Sequence, residues 1–343
     1  DRGLSVKQVD SMFSELTPQL KVILDKIKNA TPPDTSVLHG HFEKQKQWNF
    51  GIGLLKDMHY DFNAGRQDIS EHPFTIHFGS RDVRVTTRID EMDFGNMTWS
   101  CLHEGGHALY EQGLPEEQYG LPLGESCSLS IHESQSRLWE NCIGRSRPYW
   151  QYHFPRLRDI FPERLAQTNN VSFFKAINKV TPSLIRTESD EVTYHFHVLI
   201  RYELEKELIS GIISPKDIPA RWNELYKTHL GVTVPDDKQG CLQDVHWSHG
   251  SFGYFPTYSL GSLYAAQFFD AIRKKHTDLD SRIAAGETKP VWNWLQENIY
   301  RHGRYYNSTD LCRLVTGEEL NPKYFIDYIT GKLKEVYAID QIS

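Results

Sequence analysis

Two histidines with a glutamate between them form the segment His103-Glu104-Gly105-Gly106-His107. On a helix, residues four apart share one face, so both imidazoles could bind one metal ion. Glu104 would then stand beside the metal, where its carboxylate could take a proton from water. In a chain with 16 histidines, chance would produce this pattern about 0.1 times. The motif therefore indicates a metal site, which the neighbouring residues must support.

A catalytic zinc needs a third protein ligand and an open position for water. The spacing HExxHxxGxxH would supply a third histidine, but Gly113 occupies that position. We predict instead that Glu133, which begins a helical run after a loop, completes the site. His103, His107 and Glu133 would then form the ligand set of the glutamate zincins, with Zn²⁺ as the metal.

The metal-binding segment carries two consecutive glycines, Gly105 and Gly106, in the middle of a predicted helix. Each glycine costs about 1 kcal/mol relative to alanine inside a helix. A helix tolerates this cost where another element must approach its backbone closely. The glycine pair therefore predicts a close neighbour for this helix.

The overall composition is that of a globular protein, with 343 residues, 39% hydrophobic, 24% charged and a net charge of −7. The acidic balance gives no basic surface for a nucleic acid, and no apolar run of about 18 residues predicts a membrane span. The five cysteines form no Cys-x-x-Cys pair, which favours a reducing, cytoplasmic setting. The chain begins at Asp1 rather than Met, so we expect it to be part of a longer chain.

Hydrophobic residues recur at helical spacing through most of the chain. Only the segment from Phe74 to Ile89 alternates like a β-hairpin, with its turn at Gly79-Ser80-Arg81. No shift in composition divides the chain, so we predict a single domain over residues 1–343 that is mainly α with one small β-sheet. We predict an irregular stretch at 236–261 and helices at 5–28, 42–58, 98–112, 125–143, 192–213, 217–230, 263–276, 292–300, 308–316 and 322–337.

Five further signatures match, in order, those of the carboxypeptidase Taq family of metallocarboxypeptidases, which the chain resembles over nearly its whole length. Ser189 stands where that family usually has alanine, which is a small exchange. The signatures are His72-Pro73-Phe74, Asp82-Val83-Arg84-Val85-Thr86, His132-Glu133-Ser134-Gln135, Ile185-Arg186-Thr187-Glu188-Ser189-Asp190 and Gly240-Cys241-Leu242-Gln243-Asp244-Val245-His246-Trp247.

The resemblance implies a mostly helical, zincin-like fold with a deep groove beside the small sheet. It also implies release of single residues from peptide C-termini, with broad specificity and poor cleavage next to proline, by a cytosolic homodimer. Zinc would be the metal, and cobalt or manganese could replace it. Family members carry an additional N-terminal helical region that helps to wall the groove, and the resemblance implies that this chain lacks it.

Residue roles follow from the resemblance together with the chemistry that the reaction requires. His103, His107 and Glu133 would hold the metal, and Glu104 would be the general base. Arg186 would bind the terminal carboxylate of the peptide, because a guanidinium can hold a carboxylate through two hydrogen bonds. This last assignment rests mainly on the family match.

The developing oxyanion needs hydrogen-bond donors besides the metal. His246, Tyr254 and Tyr258 are the candidates, although either tyrosine could equally be part of an aromatic core. Gln243, which we place with the substrate-binding residues, could together with Asp244 orient His246 or a metal ligand.

Two further residues are candidates for substrate binding. Arg84 lies on the predicted hairpin, whose strand could pair with the backbone of a peptide and so tolerate many side chains. It could equally be the structural partner of an acidic residue. His72 either lines the groove or has a structural role.

Two alternatives to a carboxypeptidase remain. A dipeptidyl carboxypeptidase or endopeptidase would use the same metal chemistry, and only the distance from the metal to Arg186 would differ. The chain could also be an inactive metal-binding fragment, which the expected lack of an N-terminal region favours. No feature indicates a nucleic-acid or membrane partner.

Overall fold

The computed structural model describes residues 1–339, and these are mainly helical, as predicted. Among the described residues, no helix combines the length and the apolar character needed to cross a lipid bilayer. The helices are α1 (Val6–Ile27), α2 (Lys44–Asp57), α3 (Phe94–Gly113), α4 (Leu129–Arg137), α5 (Arg147–Ile160), α6 (Pro162–Leu165), α7 (Asn170–Ile177), α8 (Thr193–Ile209), α9 (Ile218–Leu230), α10 (Pro256–Lys275), α11 (Leu279–Ala284), α12 (Lys289–Asn298), α13 (Ser308–Thr316) and α14 (Lys323–Tyr337).

One three-stranded sheet lies beside α3. Its strands are β1 (Gly65–Ile69), β2 (Thr75–His77) and β3 (Val83–Thr87), in the order β1-β3-β2. Strands β2 and β3 are antiparallel, which confirms the predicted hairpin, whereas β1 and β3 are parallel. Strand β1 escaped prediction because its sequence is polar and only Gln67 is buried.

Helix α3 is the central element, since it packs against α2, α4 and β3. It begins at Phe94, four residues before the predicted start, because the carboxylate of Asp93 accepts a hydrogen bond from the Gly95 amide at 2.8 Å and caps the helix. Its apolar face is almost fully buried, including Met97, Leu102 and others. The helix that carries the HExxH motif is therefore fixed from several sides.

The two consecutive glycines in the middle of α3 have the close neighbours that the sequence predicts. A Cβ atom on Gly106 would lie 2.5 Å from the carbonyl oxygen of Gln135 and 2.7 Å from Cα of Ser136, both on α4. A Cβ atom on Gly105 would lie 2.7 Å from the side chain of Met58. Helix α10 also approaches α4 closely at a glycine, because Gly261 meets the side chain of Glu133.

Several predicted boundaries were wrong. The predicted helix 125–143 is divided into α4 and a π-helical turn at Leu138–Ile143, whose wider hydrogen bonds leave no trace in hydrophobic spacing. Residues 256–261 fall in the predicted irregular stretch but belong to α10, because Pro256 occupies its first turn, where proline is tolerated. Helices α5, α6, α7 and α11 are not predicted from the sequence.

We expect Gly106→Ala to lower the stability of the protein by about 1–3 kcal/mol, because the added methyl group must push α4 away from α3. Thermal and urea unfolding measure the change. Gly331→Ala is the matched control: Gly331 lies on the exposed side of α14 with nothing near its Cβ position, so this change should stabilise by up to about 1 kcal/mol. Equal effects of the two substitutions would contradict the proposed close contact.

Candidate metal centre and active site

Two histidines of α3 and one glutamate of α4 converge on a single point. One donor atom from each of His103, His107 and Glu133 lies within 4.8 Å of the other two. The Oε2 atom of Glu133 is 3.8 Å from His103 Nε2 and 3.3 Å from His107 Nε2. The structure thus brings the predicted ligands together as a candidate metal site.

The outward nitrogen of each histidine has a partner that turns its Nε2 atom inward. His103 Nδ1 lies 2.8 Å from Oε2 of Glu140, and His107 Nδ1 lies 2.6 Å from Nδ1 of His132. Partners of this kind fix the orientation of a ligand ring and raise its basicity. Two inward imidazole nitrogens and one carboxylate oxygen form a donor set that fits a zinc ion.

The carboxylate of Glu133 is buried, and an arginine keeps it ionised. Arg137 Nε donates a hydrogen bond to Oε1 at 2.7 Å, while Ser136 Oγ donates to Oε2 at 3.2 Å. Burial alone would raise the pKa of Glu133, but Arg137 and the two histidines hold this pKa well below its ordinary value. A negatively charged ligand is therefore present at neutral pH.

Burial and local charge act differently on the two histidines. Burial lowers the pKa of both rings, and for His107 the net pKa is lowered. For His103 the carboxylates of Glu133 and Glu140 outweigh burial, so the net pKa is raised. Because a protonated imidazole cannot bind a metal, metal affinity should fall as the pH falls through the raised pKa of His103.

Glu104 is held beside the ligands by strand β2. The hydroxyl of Thr75 lies 2.7 Å from Oε2 of Glu104 and 3.1 Å from its carbonyl oxygen. This contact fixes the carboxylate at the wall of a cavity of about 580 Å³. A carboxylate so placed can accept a proton from water in the groove.

The cavity collects most, but not all, of the predicted site residues. It extends from the first helical turns of α3 to residues near the end of α14, and Arg137, Glu140 and Tyr194 also line it. The predicted residues on its wall are His72, His103, Glu104, Arg186, His246 and Tyr258.

Arg186 reaches this cavity although its side chain is buried. Its Nη2 atom is 2.7 Å from Oδ1 of Asp244, and its Nη1 atom donates to the hydroxyl of Tyr194 at 2.9 Å. The guanidinium carbon lies 4.7 Å from the ring centre of Tyr258. Burial disfavours the charge, but nearby Tyr194 and Asp244 raise the pKa of Arg186, which stays cationic.

Gln243 lies behind Arg186. It is not among the described residues that line the cavity. Its Oε1 atom accepts from the backbone amide of Arg186 at 2.9 Å and from Arg201 at 2.8 Å. The structure therefore corrects its placement: Gln243 supports Arg186 rather than facing a substrate.

Arg84 is likewise away from the cavity. It forms two hydrogen bonds of 2.7 Å with the carboxylate of Asp82 and lies half-exposed over the ring of Phe78. Of its two predicted roles, this geometry favours the structural one. His72, in contrast, lines the cavity, as the groove-lining role requires.

The three predicted oxyanion donors form an aromatic cluster next to the ligands. His246 Nε2 lies 2.8 Å from the hydroxyl of Tyr258, and the ring of Tyr254 packs 5.4 Å from the rings of both. Burial and the charge of Arg186 lower the pKa of His246 to about 4. Burial and the negative charge of Glu133 raise the pKa of Tyr254. All three groups are therefore uncharged at neutral pH.

The family model of the carboxypeptidase Taq (M32) metallopeptidases matches residues 1–333. The chain belongs to this family. The resemblance inferred from six short signatures is therefore confirmed over almost the entire sequence.

Several proteins of this family are similar to the chain. Thermostable carboxypeptidase 1 of Thermus thermophilus is 46% identical over 337 residues, which are 98% of this chain and 66% of that protein. The M32 carboxypeptidase of Deinococcus radiodurans superposes with a TM-score of 0.96 at 41% identity, covering 99% of this chain and 68% of its own. The carboxypeptidase of Pyrococcus furiosus superposes with a TM-score of 0.93 at 38% identity, covering 97% of this chain and 67% of its own. The chain thus spans about two thirds of the length of these relatives.

Sequence reasoning missed the residues that hold the candidate metal ligands and Glu104 in place. Glu140 and Arg137 contact the ligands directly, and Thr75 fixes Glu104. Part of this could have been found, because residues 133, 137 and 140 follow the spacing of one helical face. The contact of Thr75 could not, since it depends on how the sheet lies against α3.

We expect Glu140→Gln to weaken zinc binding about 10–100-fold, because an amide orients His103 less firmly and does not raise its basicity. Competition with a chromophoric chelator measures the affinity. Glu163→Gln, at an exposed position of α6, is the control and should bind zinc like the native protein. Native affinity in the Glu140 variant would show that this carboxylate does not support the site.

Proposed function

We propose that this chain is a zinc metallocarboxypeptidase that removes single residues from peptide C-termini with broad specificity. The observation that carries the proposal is one cavity that is lined by His103, a member of the candidate metal cluster, by the carboxylate of Glu104 and by the buried, cationic Arg186.

The residues divide the reaction between them. When bound, a divalent metal supplies Lewis-acid chemistry, polarising the scissile carbonyl and acidifying water. Glu104, held by Thr75, accepts the proton of the attacking water and passes it to the leaving amine. Glu133 and the two histidines provide one negative and two neutral donors, which suits zinc and also permits cobalt or manganese.

The aromatic cluster provides hydrogen-bond donors for the developing oxyanion. His246 is neutral because its pKa is lowered to about 4, so it acts as a donor rather than as a fixed cation. The raised pKa values of Tyr254 and Tyr258 keep both hydroxyls protonated. Preorganised neutral donors of this kind favour the transition state without reorganisation.

Arg186 is proposed to bind the terminal carboxylate of the peptide. Asp244 and Tyr194 occupy part of its fork and hold it in one orientation, and its remaining N–H groups can reach a ligand in the cavity. Strand β2 lies at the edge of the sheet, and among the described residues it pairs only with β3. Its other edge can pair with peptide backbone, which accounts for broad specificity.

The remaining proposals concern the whole protein. We propose that residues 1–343 act as one peptidase domain and that the protein is a cytoplasmic homodimer.

We expect Glu104→Gln to lower kcat about 10²–10⁴-fold while zinc remains bound, because the amide cannot accept the proton from water. Release of free amino acids from N-blocked dipeptides and longer peptides measures the rate. Zinc content, determined in parallel, serves as the control. A Glu104 variant that cleaves at the native rate would exclude this residue as the base.

Amidation of the peptide C-terminus should reduce kcat/KM about 10²-fold or more, because Arg186 then loses its anionic partner. Matched free-acid and amide peptides of one sequence provide the test. An endopeptidase would cleave both forms equally, and a dipeptidyl carboxypeptidase would release dipeptides from the free acid.

An inactive metal-binding fragment is the alternative from another class. Removal of metal with EDTA followed by zinc addition separates the two cases. Restored hydrolysis supports the enzyme, whereas full zinc occupancy without cleavage of any peptide supports the fragment.

A further inference from the structure

The outward nitrogen of His107 meets a second imidazole rather than a carboxylate. His107 Nδ1 lies 2.6 Å from His132 Nδ1, and the other nitrogen of His132 lies 2.6 Å from Oε1 of Glu111. Glu111 is buried, with 4% of its surface exposed. Three side chains therefore form one continuous row of hydrogen bonds that ends at the metal-binding face.

The order of protons along this row follows from the donors and acceptors. A carboxylate only accepts hydrogen bonds, so His132 must carry a proton on Nε2 to donate to Glu111. A His107 ring that binds metal through Nε2 carries its proton on Nδ1, so His107 donates from Nδ1 and His132 accepts through its own Nδ1. This arrangement leaves the Nε2 lone pair of His107 free, and Nε2 is the atom that faces Glu133.

The row also joins the two helices that supply the ligands. Glu111 lies one turn beyond His107 on α3, and His132 directly precedes Glu133 on α4. The ring of Tyr110 packs 5.3 Å from the ring of His132 and covers it. The second oxygen of Glu111 lies 3.3 Å from Nδ1 of His77, which is half-exposed on β2.

We propose that Glu111 is a positioning residue that fixes the tautomer and orientation of the metal ligand His107 through His132. The proposal rests on the metal site put forward above. His103 differs, because Glu140 contacts it directly. The two ligands are thus oriented independently. A carboxylate contacts His103 directly, whereas the carboxylate that orients His107 acts through the imidazole of His132.

Two variants and a control test the proposal. Glu111→Ala removes the acceptor and should weaken zinc binding about 10–100-fold. Glu111→Gln keeps an acceptor oxygen, and because Glu111 lies one imidazole further from the metal than Glu140, the loss of its charge matters less, so this variant should bind zinc to within a few-fold of native. His77→Ala, beyond the end of the row, should leave the affinity unchanged. A chelator competition measures all three, and thermal unfolding of the metal-free proteins verifies that each is folded.

Nitrogen-15 spectra of the histidine rings provide a readout that does not depend on zinc. In the metal-free native protein, His132 should be protonated at Nε2 and His107 at Nδ1, and Glu111→Ala should convert these into mixtures. If the native protein does not bind zinc, the proposed metal site is wrong. The spectra would still show whether Glu111 fixes the tautomers of His132 and His107. A His132 protonated at Nδ1, or a Glu111→Ala variant with native affinity and native spectra, would overturn the proposal.

Discussion

The close contact between α3 and α4 at Gly106 is the constraint on which the site depends. Because no side chain separates the helices there, Glu133 comes within 3.3 Å of a histidine on the neighbouring helix. Helix α10 also approaches α4 closely at a glycine, Gly261, which meets Glu133. Two close approaches therefore fix one short helix of nine residues, and the metal ligands are placed by backbone packing rather than by flexible side chains.

Charge links this centre to the residue proposed to bind the substrate. Arg137 pairs with Glu133 and lies 4.3 Å from the ring of Tyr194, whose hydroxyl accepts from Arg186. Arg137 and Glu133 pair with each other and Arg186 pairs with Asp244, so these buried charges have partners of opposite sign, as burial requires. The ionised Glu133 and the cationic Arg186 thus belong to one network, which holds the candidate metal site and Arg186 at a fixed distance.

The sequence predicts that His103 and His107 lie together because their spacing is local. Residues four apart lie on one face of a helix, and the glycines between these two histidines indicate a close neighbour. Long-range features were harder to predict. Strand β1 is polar, the π-helical turn has no hydrophobic signature, and Gln243 lies behind Arg186 because of contacts between distant segments. Signatures locate reactive residues, whereas the groups that orient them depend on packing.

The π-helical turn at Leu138–Ile143 has a consequence for how the chain tolerates changes in length. It follows α4 directly and carries Glu140, the partner of His103. A π turn holds one more residue than an α turn, so deletion of a single residue here could restore a regular helix. That repair would rotate the following side chains by about 100°. Deletion screening should therefore find this buried segment less tolerant than the loop between α3 and α4.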